Sequence, residues 1–505
     1  MNEQNLKKED IKELVKNSKI KLYELEEYLF QNIFNSDSEY FQQAVEISER
    51  LRAEIFEETL GITLDTIKDA NYGLLVNNSR LKDGNILKGT ELKIGTAKIP
   101  LSIAGPVKIN SQQNNDNNKN SNNYNNVNNE FYIPIATNEA ALVAGLNRGI
   151  KAINLAGGAA ASVVYNGMTR APLLEAPDIF SAQKFSENIN TGKYNELFAK
   201  IVEENAEYSR FMDVKAFQIQ NKVWLRFRYN TGEAMGMNSA VKYTTLIMQE
   251  LLNSEKHPET KGFKLLALSG NLCSDKKAAM INILEGRGYK AEASVIISNE
   301  ILEKVFNVNA ERIIKLNFWK NHVGSSLAGS LTGCNANAAN TIAGIFAATG
   351  QDLAQIVESS TCYTFAAPAS ASFNNTLGVN NALKFSITLP CLEIGTIGGG
   401  TQFGTAKEAF DIMFTNNRNN SVKNSENNCT NLEEIEIKEN RKNNINHEIE
   451  EKSGNNINNT CTNPLTRTFA EVIAAAVLAQ ELNLLAVLAN EYALCNCHMK
   501  LARGE

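Results

Sequence analysis

The order of apolar patterns along the chain predicts an α+β protein. It comprises a helical N-terminal piece, a large α/β body, and a small split-βαβ, ferredoxin-like unit inserted into that body. Three observations carry this reading. Residues 9–60 show helical periodicity, as in "SKIKLYELEEYLFQNIF" and "YFQQAVEISERLRAEIFEETLG", which stops at Gly61, a residue suited to a helix C-cap. Residues 178–263 run helix, strand, strand, helix, strand, the order of a split βαβ unit. On both sides of that unit, over 131–172 and again from 264, the texture is strand, loop, helix. No GxGxxG follows a strand, so a non-Rossmann architecture is expected.

The bulk composition narrows the function. The chain has 505 residues, 43% hydrophobic and 21% charged, which suits a large globular enzyme. A net charge of −6 argues against nucleic acid or an anionic membrane as partner, so an anionic substrate needs local cations. The eight Cys form no CxxC pair, and Cys495 and Cys497 lack a second half-site. Reduced thiols in a cytoplasmic protein without a metal are expected. The start, "MNEQNLKKEDIKELVKNS", is too charged for a signal peptide. The best membrane-span candidate, 469–489, is interrupted by Glu471, Gln480 and Glu481, so no span is expected.

Taken in order, residues 1–90 form the helical N-terminal segment. "IGTAKIPLSIAGPVKI" (94–109) reads as a strand with a turn at Gly105-Pro106. Residues 111–129 and 415–462, rich in Asn, cannot bury enough apolar surface to offset their ordering entropy and read as disordered inserts. "FYIPIATNEAALVAGLNRGIKAINLAGG" reads as strand, turn and helix. In the small unit, a helical stretch over 181–205 precedes a hairpin, "DVKAFQIQ" and "VWLRFRY", turning at Asn221-Lys222. A glycine turn then enters a helix through "NTGEAMGMNSAVKYTTLIMQELL". The large body takes residues 91–177 and 264–505. Within it, "VGSSLAGSLTGCNANAANTIAGIFAATGQDLAQ" reads as small-residue-rich helix, and 464–500 as a long Ala- and Leu-rich helical region.

One stretch, "LLALSGNLCSDKKAAMINILEGRG" (265–288), places Asp275, Lys276 and Lys277 at the expected mouth of a buried helix beginning near Ser274. Two ammonium groups sit at the wrong end for the helix dipole, a placement that points to function. A lysine there can stabilise an oxyanion developing at a carbonyl or thioester carbon. Such chemistry also needs acids. Glu139 lies in an apolar run that would raise its pKa and suit it as a general acid. Asp352 is a lone acid in "AATGQDLAQIV", a fitting partner for Lys276. His498 ends a helix, where an imidazolium is favoured and can protonate a leaving thiolate. "TGEAMGMN" (231–238) and "GTIGGGT" (395–401) let backbone approach a phosphate or ring, and "YSRF" offers Ser209 and Arg210 as a phosphate clamp.

Together these motifs resemble the catalytic portion of 3-hydroxy-3-methylglutaryl-CoA (HMG-CoA) reductases of the eukaryote/archaeal type, class I. The match runs from about residue 50 to the C-terminus and rests on "IPLSIAGP", "ATNEAALVAGLNRG", "NGMTRAP", "GEAMGMN", the 265–288 stretch, "VGSSLAGSLTGCNANAAN", "GQDLAQ" and "EIGTIGGGT". The resemblance implies reduction of HMG-CoA to mevalonate and CoA with two NADPH. Lys276 would hold the carbonyl oxygen, Glu139 donate a proton, Asp352 couple the two, and His498 protonate the departing thiolate. It places Arg170, Ser269, Asn271, Asp275, Lys277, Lys320 and Asn340 around the substrate. It gives NADPH to Ser209, Arg210, Glu233, Met235, Gly236, Met237, Asn238, Ile397, Gly398 and Gly399, and so makes 178–263 the NADPH-binding unit. It implies a homodimer or homotetramer with shared sites. The chain departs from the family pattern at Glu233, usually Asp, at Asn337, usually His, and by one extra residue between Glu481 and His498. These departures leave open a non-catalytic paralogue that binds CoA or oligomerises.

Overall fold

The computed structural model describes residues 8–33, 41–63, 98–111, 129–330, 333–369, 382–402, 404–414 and 464–490. The strands are β1 (Leu101–Ser111), β2 (Glu130–Ala136), β3 (Ala159–Arg170), β4 (Leu173–Glu175), β5 (Arg210–Ile219), β6 (Lys222–Asn230), β7 (Lys264–Ala267), β8 (Gly288–Ser298), β9 (Tyr363–Pro368) and β10 (Ala382–Leu392). They form one open sheet in the order β7-β4-β6-β3-β8-β10-β9, with β5 beside β6 and β1 beside β3. Every pairing is antiparallel except β1 with β3. Strand β3 joins the two halves: Ala160–Gly167 pairs with β8, and Met168–Arg170 pairs with β6.

In the β3-β8-β10 half, alternation sorts the side chains. Ala291, Ala293, Val295 and Ile297 of β8 and Leu383, Phe385, Ile387 and Leu389 of β10 are buried on one face. This is the period-two pattern of a sheet packed on one side. The helix Pro464–Ala489 lies against that face and is buried all round, as its uniformly apolar composition requires. It is long and apolar enough to cross a membrane by length and composition, yet 89% of its apolar window is buried inside the protein. The helix Leu142–Leu155 crosses it at Gly149, where an added Cβ would lie 2.0 Å from the Ala479 carbonyl oxygen. Any larger residue there would push the helices apart. The opposite face of this half leaves Val164, Ile296 and Phe365 exposed.

The other half, β7-β4-β6-β5, carries the helices Ile179–Asn190, Asn195–Asn205 and Met237–Leu251 on a second hydrophobic cluster. Its strand order and antiparallel pairing are those of a β-α-β-β-α-β unit. The helical stretch expected over 181–205 is two helices, parted at Gly192, which has φ +79°. The hairpin turns one residue earlier than expected, at Gln220-Asn221, because Gln220 takes the left-handed position (φ 53°) and Lys222 already belongs to β6.

Three further readings are corrected. Gly105-Pro106, expected as a turn, is an irregularity within β1, where the register shifts between Ala104 and Val107. The segment 323–355 is not one helix. A π-helical turn Asn317–Gly324 and a short helical turn precede a break, and the helix Ala338–Thr349 starts afresh after it. Buried Glu481 takes the Ala336 and Asn337 N–H groups at 2.8 and 2.7 Å, which satisfies the start of that helix. Ser111 is not loop but the end of β1, and it donates to Glu471 at 2.8 Å. Residues 112–128 and 415–462 of the Asn-rich inserts lie outside the described residues, between β1 and β2 and before Pro464 respectively. The N-terminal helices Lys8–Lys16, Leu25–Asn32 and Phe41–Leu60 bury a small cluster of their own.

Candidate active site

Beyond β7 the chain passes over β4 and β6. Gly270 N–H donates to Ala171 O at 2.6 Å, and the Trp224 indole donates to Gly270 O at 2.9 Å. The helix expected to begin near Ser274 is a five-residue helix, Met280–Leu284, whose Met280 and Leu284 are exposed. The cations therefore stand on a turn, not on a buried helix mouth, and the dipole argument does not apply to them. The turn is strained: Asn271, Ser274 and Lys276 have φ of 64°, 53° and 60°. Each left-handed non-glycine residue costs about 1–2 kcal/mol. Such geometry persists only where fixed contacts over-determine it.

Those contacts are present. The Lys276 ammonium lies 3.1 Å from Asp352 Oδ2, with the two side chains 46% and 35% exposed. Asp352 is oriented by accepting the Ala354 N–H at 3.0 Å. The Lys276 backbone N–H donates to Glu358 Oε1 at 2.6 Å. Asp275 Oδ1 accepts from Arg287 Nη2 and Gln355 Nε2, each at 2.9 Å, and Arg170 lies 3.7 Å from its other oxygen. Arg170 also donates to Ser269 Oγ at 2.8 Å, while its buried Nε has no partner among the described residues. Lys277 is exposed, with its ammonium on Asp275 O at 3.0 Å, and Asn271 is exposed at the head of the loop.

Beneath the turn lies a buried charge cluster that sequence reasoning missed. Arg287, fully buried, pairs with Glu393 and lies 3.7 Å from Glu358, both also fully buried. Burial pushes the Glu358 carboxyl above the usual carboxylate range, although its hydrogen bond with Glu393 and the Arg287 charge oppose this. Burial pushes the Glu393 carboxyl much further up, with the Glu358 charge adding to the push and Arg287 opposing it. Burial disfavours charge on both carboxyls, and the one guanidinium between them offsets this only in part. The available signals were a lone acid in the apolar run "ITLPCLEIG" and an arginine between two glycines in "EGRGY".

Glu139 is exposed, so the apolar setting expected for it is absent. Its carboxylate accepts from Asn340 Nδ2 at 3.0 Å. Among the described residues no hydrogen bond or ion pair joins Glu139 to Lys276 or Asp352. The fold thus brings together Lys276 with Asp352 and Glu139 with Asn340, as two separate pairs. Lys320 sits on the π-helical turn near Glu481, whose carboxyl burial pushes above the usual range, with hydrogen bonds from Asn337, Ala336 and Thr364 and the Lys320 charge opposing. His498 lies outside the described residues.

The two glycine sequences do meet. Ala234 and Ile397 form a parallel bridge, and Thr396 N–H donates to Glu233 O at 2.8 Å. Gly395 is required there, because a Cβ would lie 2.4 Å from the Met235 nitrogen. Met235, Gly236, Met237 and Asn238 turn into the helix Met237–Leu251 opposite exposed Ile397 and Gly399, with Gly398 between. The Glu233 carboxylate, however, is committed elsewhere. It accepts the Leu465 and Thr466 N–H groups at 3.1 and 2.7 Å and the Thr396 and Thr466 hydroxyls, which caps the helix Pro464–Ala489. Buried Ser209 and exposed Arg210 sit where β5 begins, paired across to Asn230 just before this turn.

An ammonium held by a carboxylate at a half-open turn, with two further cations nearby and glycine turns beside it, has the charge to meet an oxyanion developing on a carbonyl. The fold is a mixed α+β body with an open antiparallel sheet. Comparison with known proteins agrees. Residues 50–503 match the family model for hydroxymethylglutaryl-coenzyme A reductase. The 3-hydroxy-3-methylglutaryl-coenzyme A reductase of Pyrococcus abyssi is 35% identical over 497 residues, 98% of this chain and 99% of that one. That of Haloferax volcanii is 37% identical over 362 residues, 71% of this chain and 79% of that one. Among solved structures, the class II enzyme of Streptococcus pneumoniae bound to NADPH superposes with a TM-score of 0.55 at 18% identity, covering 91% of this chain and 100% of that one. The chain belongs to the hydroxymethylglutaryl-coenzyme A reductase family.

Proposed function

We propose that this protein reduces HMG-CoA to mevalonate and free CoA, using two NADPH, as a reductase of the eukaryote/archaeal type. The observation that carries the reading is the Lys276–Asp352 pair at 3.1 Å on a strained turn, in a chain of this family. The archaeal relatives at 35% and 37% identity support the type over class II, whose compared structure is 18% identical.

Lys276 donates to the thioester oxygen and then to the aldehyde oxygen, so that charge developing on either is met by an ammonium already in place. Asp352 keeps that amine oriented. Glu139 supplies the proton, and His498 protonates the departing thiolate. Arg170, Ser269, Asn271, Asp275, Lys277, Lys320 and Asn340 surround the HMG portion. The unpartnered Nε of buried Arg170 suits an anionic oxygen. NADPH supplies hydride when bound. Arg210 and Ser209 fit its 2′-phosphate, and Met235 to Asn238 with Ile397 to Gly399 fit its ring end. Residues 178–263 would thus be the NADPH-binding unit, and 91–177 with 264–505 the substrate-binding body. Glu233 would act there through its backbone, since its carboxylate caps a helix.

We further read the protein as a homodimer or homotetramer with shared sites. The pairing of Glu139 with Asn340 rather than with Lys276 among the described residues supports this, as does the sheet face that leaves Val164, Ile296 and Phe365 exposed. The described cysteines, Cys273, Cys334, Cys362 and Cys391, are free thiols, which suits a reducing compartment such as the cytoplasm. The test is turnover: HMG-CoA should consume two NADPH per CoA released. Binding of CoA without any NADPH oxidation would sink the catalytic reading.

A further inference from the structure

The segment that carries Asp352 does more than hold the ammonium. Residues 352–359 form a 3-10 turn, Leu353–Gln355, running into a helical turn, Ile356–Ser359. Near three residues per turn, side chains three apart fall on one face. Asp352, Gln355 and Glu358 have that spacing, and all three reach the same two residues of the strained turn. Asp352 takes the Lys276 ammonium at 3.1 Å, Gln355 donates to Asp275 at 2.9 Å, and Glu358 takes the Lys276 backbone N–H at 2.6 Å. Lys276 is therefore gripped at its amine and at its main chain by one ladder. Behind the ladder, Arg287 ties Glu358, Glu393 and Asp275 together.

We propose that Glu358, backed by Arg287 and Glu393, is a positioning residue for Lys276: its carboxylate fixes the left-handed backbone from which the amine is aimed. This rests on the reading of Lys276 as the group that meets the carbonyl oxygen. Glu358 touches neither substrate nor cofactor in this scheme. It acts through the hydrogen bond to the Lys276 N–H.

Three variants separate the acceptor from the charge. Glu358→Ala removes both. Glu358→Asp keeps the charge beside Arg287 but withdraws the oxygen by one methylene. Glu358→Gln keeps an oxygen acceptor in place without the charge. With steady-state kinetics on HMG-CoA and NADPH, and thermal melting to establish folding, Ala and Asp should lose about 10²-fold in kcat, the cost of a small misplacement. The KM for NADPH should stay within about twofold, and Gln should recover most of the kcat. In a Lys276→Ala background the Glu358 substitutions should change the residual rate little, since residues acting as one unit are not additive. If Ala does not fold, the Asp and Gln pair decides. An active Asp variant beside an inactive Gln variant overturns the proposal, because charge and not the acceptor would then matter. Wild-type kcat in folded Ala or Asp variants, with Lys276→Ala inactive, overturns the positioning role alone. Wild-type turnover by Lys276→Ala overturns the reading beneath it.

Discussion

Lys276→Ala tests the site most directly, because its effects on stability and on rate should part company. The pair it breaks is short, 3.1 Å, but both side chains remain substantially open to solvent, 46% and 35%. Two unit charges at that distance attract by about 1 kcal/mol in water and about 5 at an effective dielectric of 20. Exposure puts this pair near the weak end, where measured values run about 0–1 kcal/mol. The folded protein should therefore lose no more than about 1 kcal/mol. The left-handed backbone at φ 60° is strained for alanine as for lysine, so that cost does not change. Lys276→Gly, which relieves it, should be more stable than Lys276→Ala by about 1 kcal/mol. The rate should behave otherwise. Removing one donor to a developing oxyanion costs about 10²–10³ in kcat. Denaturant unfolding reports the first quantity, and NADPH oxidation with saturating HMG-CoA the second. A kcat within tenfold of wild type would refute the assignment. So would a loss of activity that merely follows a loss of folded protein.

Other expectations follow from the same geometry. The Glu358–Glu393 pair has carboxyl pKa values raised in the fold, Glu393 well above its ordinary 4.5. A raised carboxyl adds stability that is complete below about pH 4.5 and is lost as pH rises toward the folded value. Glu393→Gln should remove that group's part of the slope, at most about 1.4 kcal/mol per pH unit, so wild type should lose stability relative to the variant as pH rises. Parallel unfolding free energies across that range would contradict it. Glu233→Ala strips the cap from Leu465 and Thr466 and should cost about 1–2 kcal/mol, with a raised KM for NADPH and an unchanged KM for HMG-CoA. An unaltered melting curve would count against the capping role. If sites are shared between subunits, Glu139→Gln and Lys276→Ala chains, each inactive alone, should regain activity when co-expressed. Mixed oligomers without activity would instead confine each site to one chain.

How much was legible beforehand divides along a physical line. Local pattern determined the secondary elements with short-range causes. The hairpin β5–β6 was visible as alternation and the long C-terminal helix as an Ala- and Leu-rich run. The ordered motifs likewise pointed to the family and to Lys276, though at a helix mouth rather than on the turn where it stands. Where the reading failed, local pattern had two solutions. The small-residue run after residue 323 was open to one helix or several. A Glu beside a motif reads the same whether it stands exposed or caps a helix, as Glu139 and Glu233 illustrate.

Only the tertiary structure decided the partners. Lys276 takes its backbone acceptor from Glu358, 82 residues on, and Glu233 caps a helix 233 residues on. Hydrogen bonds and desolvation act over a few ångströms of space, whereas sequence patterns report only neighbours along the chain. Which carboxyl comes to lie beneath which turn is settled when β3, β8 and β10 align and their loops converge. For that reason the amino-acid order could announce a cation at this turn, but not the ladder of Asp352, Gln355 and Glu358 that holds it, nor the buried arginine behind.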